Sequence, residues 1–270
     1  RVRHDFIFPG IIAAITSFEI SKFWGVTYDY YPANLIGEFS EFLFIKIVVI
    51  GILCGLVSWL FVESLSQSRA LFRAIQQRFK LWPPLVPLLG GLILSALIIV
   101  IPTDYLGLSL PVMHTALLGG QVELFGFLWK TLLVVITLGS GFYGGIVTPQ
   151  FVIGALAGNT FATMLGVNPA LGAAVGMVSV VASASNTPIA AILMSFELFG
   201  NNIGPYFASA CVSAYIVAGN RSVYSDQLLA YSKSLWLRYT PDEALTPGKI
   251  RVSREWLRKT RYFRRRKSDK

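Results

Sequence analysis

Long stretches without a single charged side chain constrain this chain more than any other feature. Residues 81–102, 131–196 and 198–220 contain no Asp, Glu, Lys or Arg. Helices drawn from such runs are long enough to cross a hydrocarbon core of about 30 Å, at about 1.5 Å per residue. A helix of a water-soluble protein needs charged positions on its outer face, and these runs offer none. With 54% hydrophobic residues, the sequence predicts an all-α, multi-pass membrane protein.

The N-terminal end of the sequence indicates a partial chain. The first of the 270 residues is Arg1, and no signal-type basic region with a cleavage site precedes the first apolar run. We therefore interpret the sequence as a fragment, or as a reading frame cut at its start.

The net charge is concentrated at the C-terminal end. Residues 249–270 carry eleven Lys or Arg against Glu255 and Asp269, which accounts for the whole net charge of +9. Nucleic-acid binding is one explanation, but the excess of Lys and Arg on cytoplasmic segments of membrane proteins is the simpler one. Residues 228–270 are therefore predicted to form a basic cytoplasmic tail that touches anionic lipid, and no nucleic-acid partner is expected.

Charge also orders the first three predicted spans, residues 5–24, 42–62 and 83–101. The segment 25–41 is acidic and aromatic, which predicts an outer loop. The segment 64–80 carries Arg69, Arg73, Arg78 and Lys80, which predicts a cytoplasmic loop on the same side as the tail. The protein is expected in the inner or plasma membrane of the cell.

After Gly139 the apolar segments become short. Residues 149–165, 168–184, 188–199 and 205–218 are each bounded by Gly, Pro or Asn, and several are too short to cross the membrane upright. Such interrupted helices are tolerated only where protein or a water-filled cavity receives their ends. Transporters use these ends to bind ions, because the N-terminus of a half-helix carries partial positive charge.

The stretch GSGFYGGIVTPQFVIGALAGNTF, residues 139–161, opens this region. Gly144 and Gly145 are predicted to turn the backbone sharply, and Pro149 suits the first turn of the helix that follows. Free backbone amides before that helix form a ready anion site, and the Thr148 hydroxyl is available as a cap or a ligand. The alternative is a glycine hinge packed between helices. The predicted anion-binding amides are those of Ile146, Val147 and Thr148.

The same stretch resembles the GxFxP-type signature of the CLC family of chloride channels and proton-coupled anion exchangers. SASNTPIAAILMSFELFG, residues 183–200, looks like the family's next-to-last membrane helix. GNRSVYSDQ, residues 219–227, is similar to the turn whose tyrosine contacts the central anion. The resemblance implies that Tyr224 donates its hydroxyl to the anion.

The resemblance also implies a fold. Members of the family are built from two inverted halves of broken, tilted helices and form homodimers with one pore per subunit. Residues 1–227 resemble the second half plus the last helix or so of the first, which makes them a partial CLC-type transmembrane domain. The family's first-half loops, including the one with the gating glutamate, have no counterpart here. By the same likeness, residues 5–24, 188–199 and 205–218 should face a second copy, with the small residues of 208–215 at the contact.

Anion transport is the function that the resemblance implies: movement of a small inorganic anion, chloride first, by a channel or a proton/anion exchanger. The segments VTP, SNTPIA and ELFG resemble those of the fluoride-exporting branch. However, that branch often shows GGEVTP, with Glu at the position of Ile146 in this chain. A fluoride/proton antiporter is therefore one alternative, and a membrane scaffold that transports nothing is another.

Three polar side chains within the apolar region have more modest interpretations. Glu197 is the only charged residue between Lys130 and Arg221, and its place at a segment end favours a structural hydrogen bond over a functional role. Asn186 is predicted to cap the helix that begins near Pro188. Lys130 is predicted to extend from a helix end toward water.

The sequence contains no pattern that indicates catalysis. Cys54 and Cys211 lie in apolar runs and are interpreted as small hydrophobic residues. His4 and His114 are far apart and join no cluster of metal ligands. No nucleophile motif or phosphate-binding loop is present either. We therefore expect no enzyme activity, no cofactor and no bound metal.

Overall fold

The structure is a computed structural model that describes residues 7–26, 40–200 and 204–224, together with the pairs 237–238 and 251–252. The predictions for His4, for most of the outer loop and for nearly all of the basic tail fall outside the described residues.

Helices make up the described part of the transmembrane region, as the sequence predicts. In chain order the elements are α1 (Ile7–Phe23), α2 (Glu41–Phe79), α3 (Leu85–Leu97), a 3-10 turn (Thr103–Tyr105), α4 (Leu110–Leu117), α5 (Gly126–Gly139), α6 (Val147–Met164), α7 (Pro169–Ala184), α8 (Pro188–Phe199), α9 (Gly204–Ala218), β1 (Leu237–Arg238) and β2 (Arg251–Val252). The two strands pair antiparallel, with Leu237 opposite Val252.

Most of these helices are short, and α7, α8 and α9 confirm the interruptions predicted after Gly139, whereas α3 is shorter than the predicted span over 83–101. The five apolar helices α3, α5, α7, α8 and α9 have 12 to 16 residues each. Among the helices that the structure describes, α2 alone is both long and apolar enough to cross a membrane by length and composition. The remaining helices therefore depend on their neighbours to complete a path through the bilayer.

Helix α2 is one continuous helix of 39 residues, so the loop predicted over residues 64–80 is wrong. This segment contains no Gly or Pro that would end a helix. Leu65 and Phe72 are both buried, and their spacing of two helical turns continues the apolar face of the membrane part. The helix ends at Lys80, which has the left-handed conformation with φ of 48°.

Helices α6 and α7 pack with their backbones almost in contact. Gly154 and Gly158 of α6 face Gly172 and Gly176 of α7. A Cβ atom added to Gly154 would lie 2.7 Å from the Cα atom of Met177, so no larger residue fits there without displacing a helix. Small residues four apart are the usual means of close helix packing in membranes, and this pair forms the centre of the structure.

The small residues of α9 contact α2 of the same chain. A Cβ atom on Gly51 would lie 2.7 Å from the Cα atom of Ala210, and one on Gly55 would lie 2.9 Å from that of Ala214. The prediction that the small residues of 208–215 form a dimer contact is therefore wrong for these two alanines. The glycines of α2 have the same spacing of four, so the closest approach occurs inside the chain.

Lys130 is buried in α5 rather than extended toward water, so the prediction for this residue is wrong. Its Nζ atom donates hydrogen bonds to the carbonyl oxygens of Tyr105 at 3.1 Å and Gly107 at 2.6 Å, and to Ser109 Oγ at 2.8 Å. Three oxygen acceptors offset the cost of burying an ammonium group. The side chain thereby fastens the connection between α3 and α4 onto α5.

The predictions for Cys54, Cys211 and Glu197 have different outcomes. Cys54 and Cys211 are free and fully buried, as interpreted. Glu197 lies exposed in the last turns of α8, and it makes no hydrogen bond with any described residue. Among the described residues Glu197 therefore has no hydrogen-bond partner, and the structural role predicted for it stays a prediction.

Candidate anion site

Residues 140–146 join α5 to α6 at the stretch that the sequence predicts as the anion site. Gly141 has φ of +102°, a conformation that only glycine adopts readily. Gly144 and Gly145 are exposed and have no positive φ. A Cβ atom on Gly145 would meet nothing within 4 Å. The chain reversal predicted for Gly144 and Gly145 therefore depends on Gly141 instead.

The first turn of α6 leaves its backbone amides free. Ile146 is the N-cap residue, and Val147 and Thr148 are the first two helical residues. Their amide groups precede the first repeating helix bonds and donate to no backbone oxygen in the described ranges. Pro149 occupies the first turn, as predicted. Thr148 does not cap the helix, because it lies inside it and no side-chain hydrogen bond closes this end; its role as a ligand stays a prediction.

Gln150 connects this first turn to the end of α7. Its side chain is fully buried, and Nε2 donates to the carbonyl oxygen of Ile146 at 3.1 Å. The other amide atom, Oε1, accepts a hydrogen bond from Ser185 Oγ at 2.8 Å. Sequence reasoning missed both residues. The available signal was a polar side chain one helical turn after Ile146, in an otherwise apolar helix.

Asn186 ends α7 rather than starting α8. Its φ of 61° is left-handed, and Thr187 N donates across it to the carbonyl oxygen of Ala182 at 3.0 Å. This is a common helix C-terminus, in which Asn substitutes for the usual glycine. The N-cap residue of α8 is Thr187, so the prediction of Asn186 as a helix cap is wrong. Asn186 Oδ1 is buried and accepts no hydrogen bond from the described residues.

The segment that carries Tyr224 docks on the same end of α7. Val223 N donates to the carbonyl oxygen of Ala184 at 2.9 Å, and Tyr224 N donates to Ser222 Oγ at 3.2 Å. Ala184 and Ser185 therefore bring the tyrosine segment and the first turn of α6 to one place. The Tyr224 side chain is 44% exposed, and its hydroxyl group bonds to no described residue. Joint binding of one anion by this hydroxyl and the α6 amides stays a prediction.

The groups that line this place are electrically neutral. No Lys or Arg occurs from residue 131 to residue 220. The next cation is Arg221, whose Nε atom lies 3.3 Å from Glu63 Oε2 and whose guanidinium carbon lies 5.2 Å from the centroid of the Trp59 ring. Within the described ranges, no three His, Cys, Asp or Glu side chains come together in a way that could hold a metal ion. Amides and hydroxyls are thus the donors available to a ligand.

Comparison with known proteins identifies the relatives of this chain. A family profile described as voltage gated chloride channel matches residues 1–219. A chloride/fluoride channel protein of Pseudomonas syringae pv. tomato is 33% identical over 242 residues, which cover 86% of this chain and 52% of that protein. The voltage-gated ClC-type chloride channel ClcB of Salmonella typhimurium is 30% identical over 200 residues, which cover 70% of this chain and 46% of that protein.

A solved structure gives the same result for the fold. The crystal structure of a CLC-type fluoride/proton antiporter superposes with a TM-score of 0.75 at 30% sequence identity. The match covers 82% of this chain and 55% of that one. The chain therefore spans about half the length of the relatives it matches.

Proposed function

The chain belongs to the voltage gated chloride channel (CLC) family, and on that basis we propose that the complete protein carries a small inorganic anion, chloride first, across a membrane. The protein is an integral membrane protein with the CLC-type fold. It works as a channel or as a proton/anion exchanger and catalyses no covalent reaction. The observation that carries the proposal is the set of free amides at the first turn of α6, joined through α7 to the segment of Tyr224.

The cost of dehydration explains why such a site suits an anion. An anion stripped of water needs several hydrogen-bond donors at once, because an unpaired charge in a medium of low dielectric constant is prohibitively costly. The amides of Ile146, Val147 and Thr148 supply donors, and the dipole of α6 favours a nearby anion by about 0.3–2 kcal/mol. Tyr224 would add a phenol hydroxyl. Neutral donors also keep binding weak enough for the anion to leave.

Fluoride is the second candidate anion, in proton-coupled exchange. Two of the relatives are named for fluoride. Residues 147–149 of this chain, VTP, also match the last three letters of the GGEVTP segment of the fluoride-exporting branch. The absence of a Glu at Ile146 is the observation against it. The anion preference is therefore determined by measuring the transport of chloride and of fluoride by the same protein.

We propose two partners for this protein, namely membrane lipid and a second copy of the same chain. We place the tail after residue 249 in the cytoplasm, against anionic lipid. Helices α1 and α8 face a second subunit with apolar side chains that are exposed in the single chain: Ile11, Ile12 and Ile15 of α1, and Ile189 and Leu193 of α8. Chemical cross-linking in native membranes tests this, and a full-length protein that remains monomeric there contradicts it.

Flux from liposomes tests the transport proposal. The full-length protein is reconstituted with chloride inside and then with fluoride inside, and efflux is followed with an ion-selective electrode. We expect efflux of at least one anion, about tenfold weaker anion binding by calorimetry for Tyr224→Ala if one good donor is lost, and a milder change for Tyr224→Phe. Tyr143→Ala is the matched control, because Tyr143 is fully exposed on the adjacent turn. Absence of any flux would support the membrane scaffold.

A further inference from the structure

Glu63 and Arg221 form an ion pair next to the candidate site, and transport by neutral donors does not use it. Arg221 Nε lies 3.3 Å from Glu63 Oε2, and both atoms are buried from solvent. The side chains as wholes are 25% and 22% exposed. Neither atom takes part in a hydrogen bond within the described ranges, so the contact between these two atoms is ionic.

Helix α2 holds both members of this pair in place. Gln67 Nε2 donates to the other Glu63 oxygen, Oε1, at 3.0 Å, which fixes the carboxylate on the face of α2. One turn earlier, the ring of Trp59 lies 5.2 Å from the Arg221 guanidinium carbon. A cation over an aromatic face gains further stabilisation as it loses water. The carboxylate of Glu63 and the ring of Trp59 therefore hold the guanidinium against α2.

The position of Arg221 in the chain makes its charge important for the site. Arg221 precedes Tyr224 by three positions, so their Cα atoms lie within about 11 Å of each other. Val223 is fixed to the end of α7 by its bond to Ala184, which leaves the segment little freedom to move away. An uncompensated cation on this short segment would attract the anion that Tyr224 is proposed to bind.

We propose that Glu63 sets the affinity of the anion site, because it neutralises Arg221 on the segment that carries Tyr224. The ion pair keeps a cation in the protein at this point while the bound anion meets only neutral donors. This keeps the affinity low enough for rapid release. The inference rests on the proposed anion transport and adds a residue from α2, outside the stretch that the sequence predicts as the site.

Charge removal on each side of the pair tests the inference, since the two changes have opposite effects. A unit charge roughly 10–15 Å from a bound anion changes its Kd by about six- to sixteenfold at an effective dielectric constant of about 20, and salt screens part of this effect. In the full-length protein, Glu63→Gln should therefore lower the Kd for chloride by about three- to tenfold and slow turnover. Arg221→Gln leaves Glu63 uncompensated and should raise the Kd by a similar factor. The double variant should return the Kd to the wild-type value.

A purely structural ion pair gives a different pattern. Either single change would then break the same contact, and both would move the Kd in the same direction, with no recovery in the double variant; that result overturns the inference. Glu41→Gln is the matched control, because it removes the same charge from the same helix about 33 Å away along its axis. Calorimetry with chloride measures the Kd, and size-exclusion chromatography checks that each variant is folded.

Arg221→Lys supplies a second test if Glu63→Gln does not fold. It retains the charge and should keep the wild-type Kd, whereas weaker binding by a folded Arg221→Lys variant would show that the geometry of the guanidinium matters rather than its charge. Wild-type protein without flux or chloride binding refutes the proposed function. Wild-type binding with same-direction shifts in both single variants refutes only the role of Glu63.

Discussion

Replacement of Gly141 by alanine should destabilise the protein, while the same replacement at Gly145 should not. The φ of +102° at Gly141 lies outside the regions open to residues with a Cβ atom, and holding such a residue there costs about 1–3 kcal/mol. The nearest atom to an added Cβ is Pro87 Cγ at 3.7 Å, which is an ordinary contact. The expected loss is therefore conformational and owes nothing to crowding.

Gly145→Ala provides the comparison within the same turn. Its φ is not positive, and its added Cβ would meet nothing within 4 Å. A glycine replaced at a compatible position typically gains about 0.4–1 kcal/mol, because the unfolded chain loses freedom. The two substitutions should thus differ by about 1.5–4 kcal/mol.

Thermal unfolding in detergent, followed by the loss of the monodisperse chromatographic peak, measures this difference. A change of 1 kcal/mol shifts Tm by roughly 2–4 °C for 150–250 residues. Gly141→Ala should therefore unfold several degrees below Gly145→Ala. Equal values of Tm, or a lower value for Gly145→Ala, would show that the turn does not depend on the conformation of Gly141.

Three more outcomes are expected. Gly154→Val should abolish the folded protein, because its Cβ would lie 2.7 Å from the Met177 Cα atom, whereas Gly10→Val has nothing within 4 Å and should be tolerated; chromatographic yield compares them. Ser185→Ala leaves the buried Gln150 Oε1 without its donor, so it should cost about 1–3 kcal/mol and lower Tm, while Ser185→Thr should cost less. A cysteine at the exposed Gln77 should react only with reagents that reach the cytoplasm, and rapid labelling of Gln77→Cys from outside intact cells would refute the orientation. A cysteine at Ser68 should react slowly, because this position packs against Val135 and Gly139 of α5.

The sequence predicts the short helices well wherever a local signal marks their ends. Residues 188–199 form α8 with the predicted bounds, because Pro188 suits the first turn and Gly200 follows the last residue. Asn168 caps α7 by accepting a hydrogen bond from Ala170 N. Pro149 lies in the first turn of α6. These features depend on the backbone needs of one or two residues, and the residue types display them directly.

Several of the errors concern contacts between segments that are distant in the sequence. No local sequence signal predicts that Lys130 donates hydrogen bonds to three oxygen atoms on the connection between α3 and α4, or that Ala210 contacts Gly51. Small residues indicate close packing, but they do not indicate which helix packs against them. Likewise, the amides of α6 could be predicted from the turn, whereas the bond from Ser185 to Gln150 depends on how α6 and α7 cross. Local chemistry thus identifies the candidate site, and tertiary packing decides what holds it.

The length of α2 has a mechanical consequence. At about 58 Å, calculated from its 39 residues, it exceeds the thickness of a hydrocarbon core of about 30 Å. Along this one rod, Glu63 holds the segment before Tyr224, and Ser68 holds the last turns of α5 just before Gly141. Those two attachments lie only about 8 Å apart on the helix axis. A tilt or rotation of the far end of α2 is therefore expected to displace both sides of the candidate anion site together.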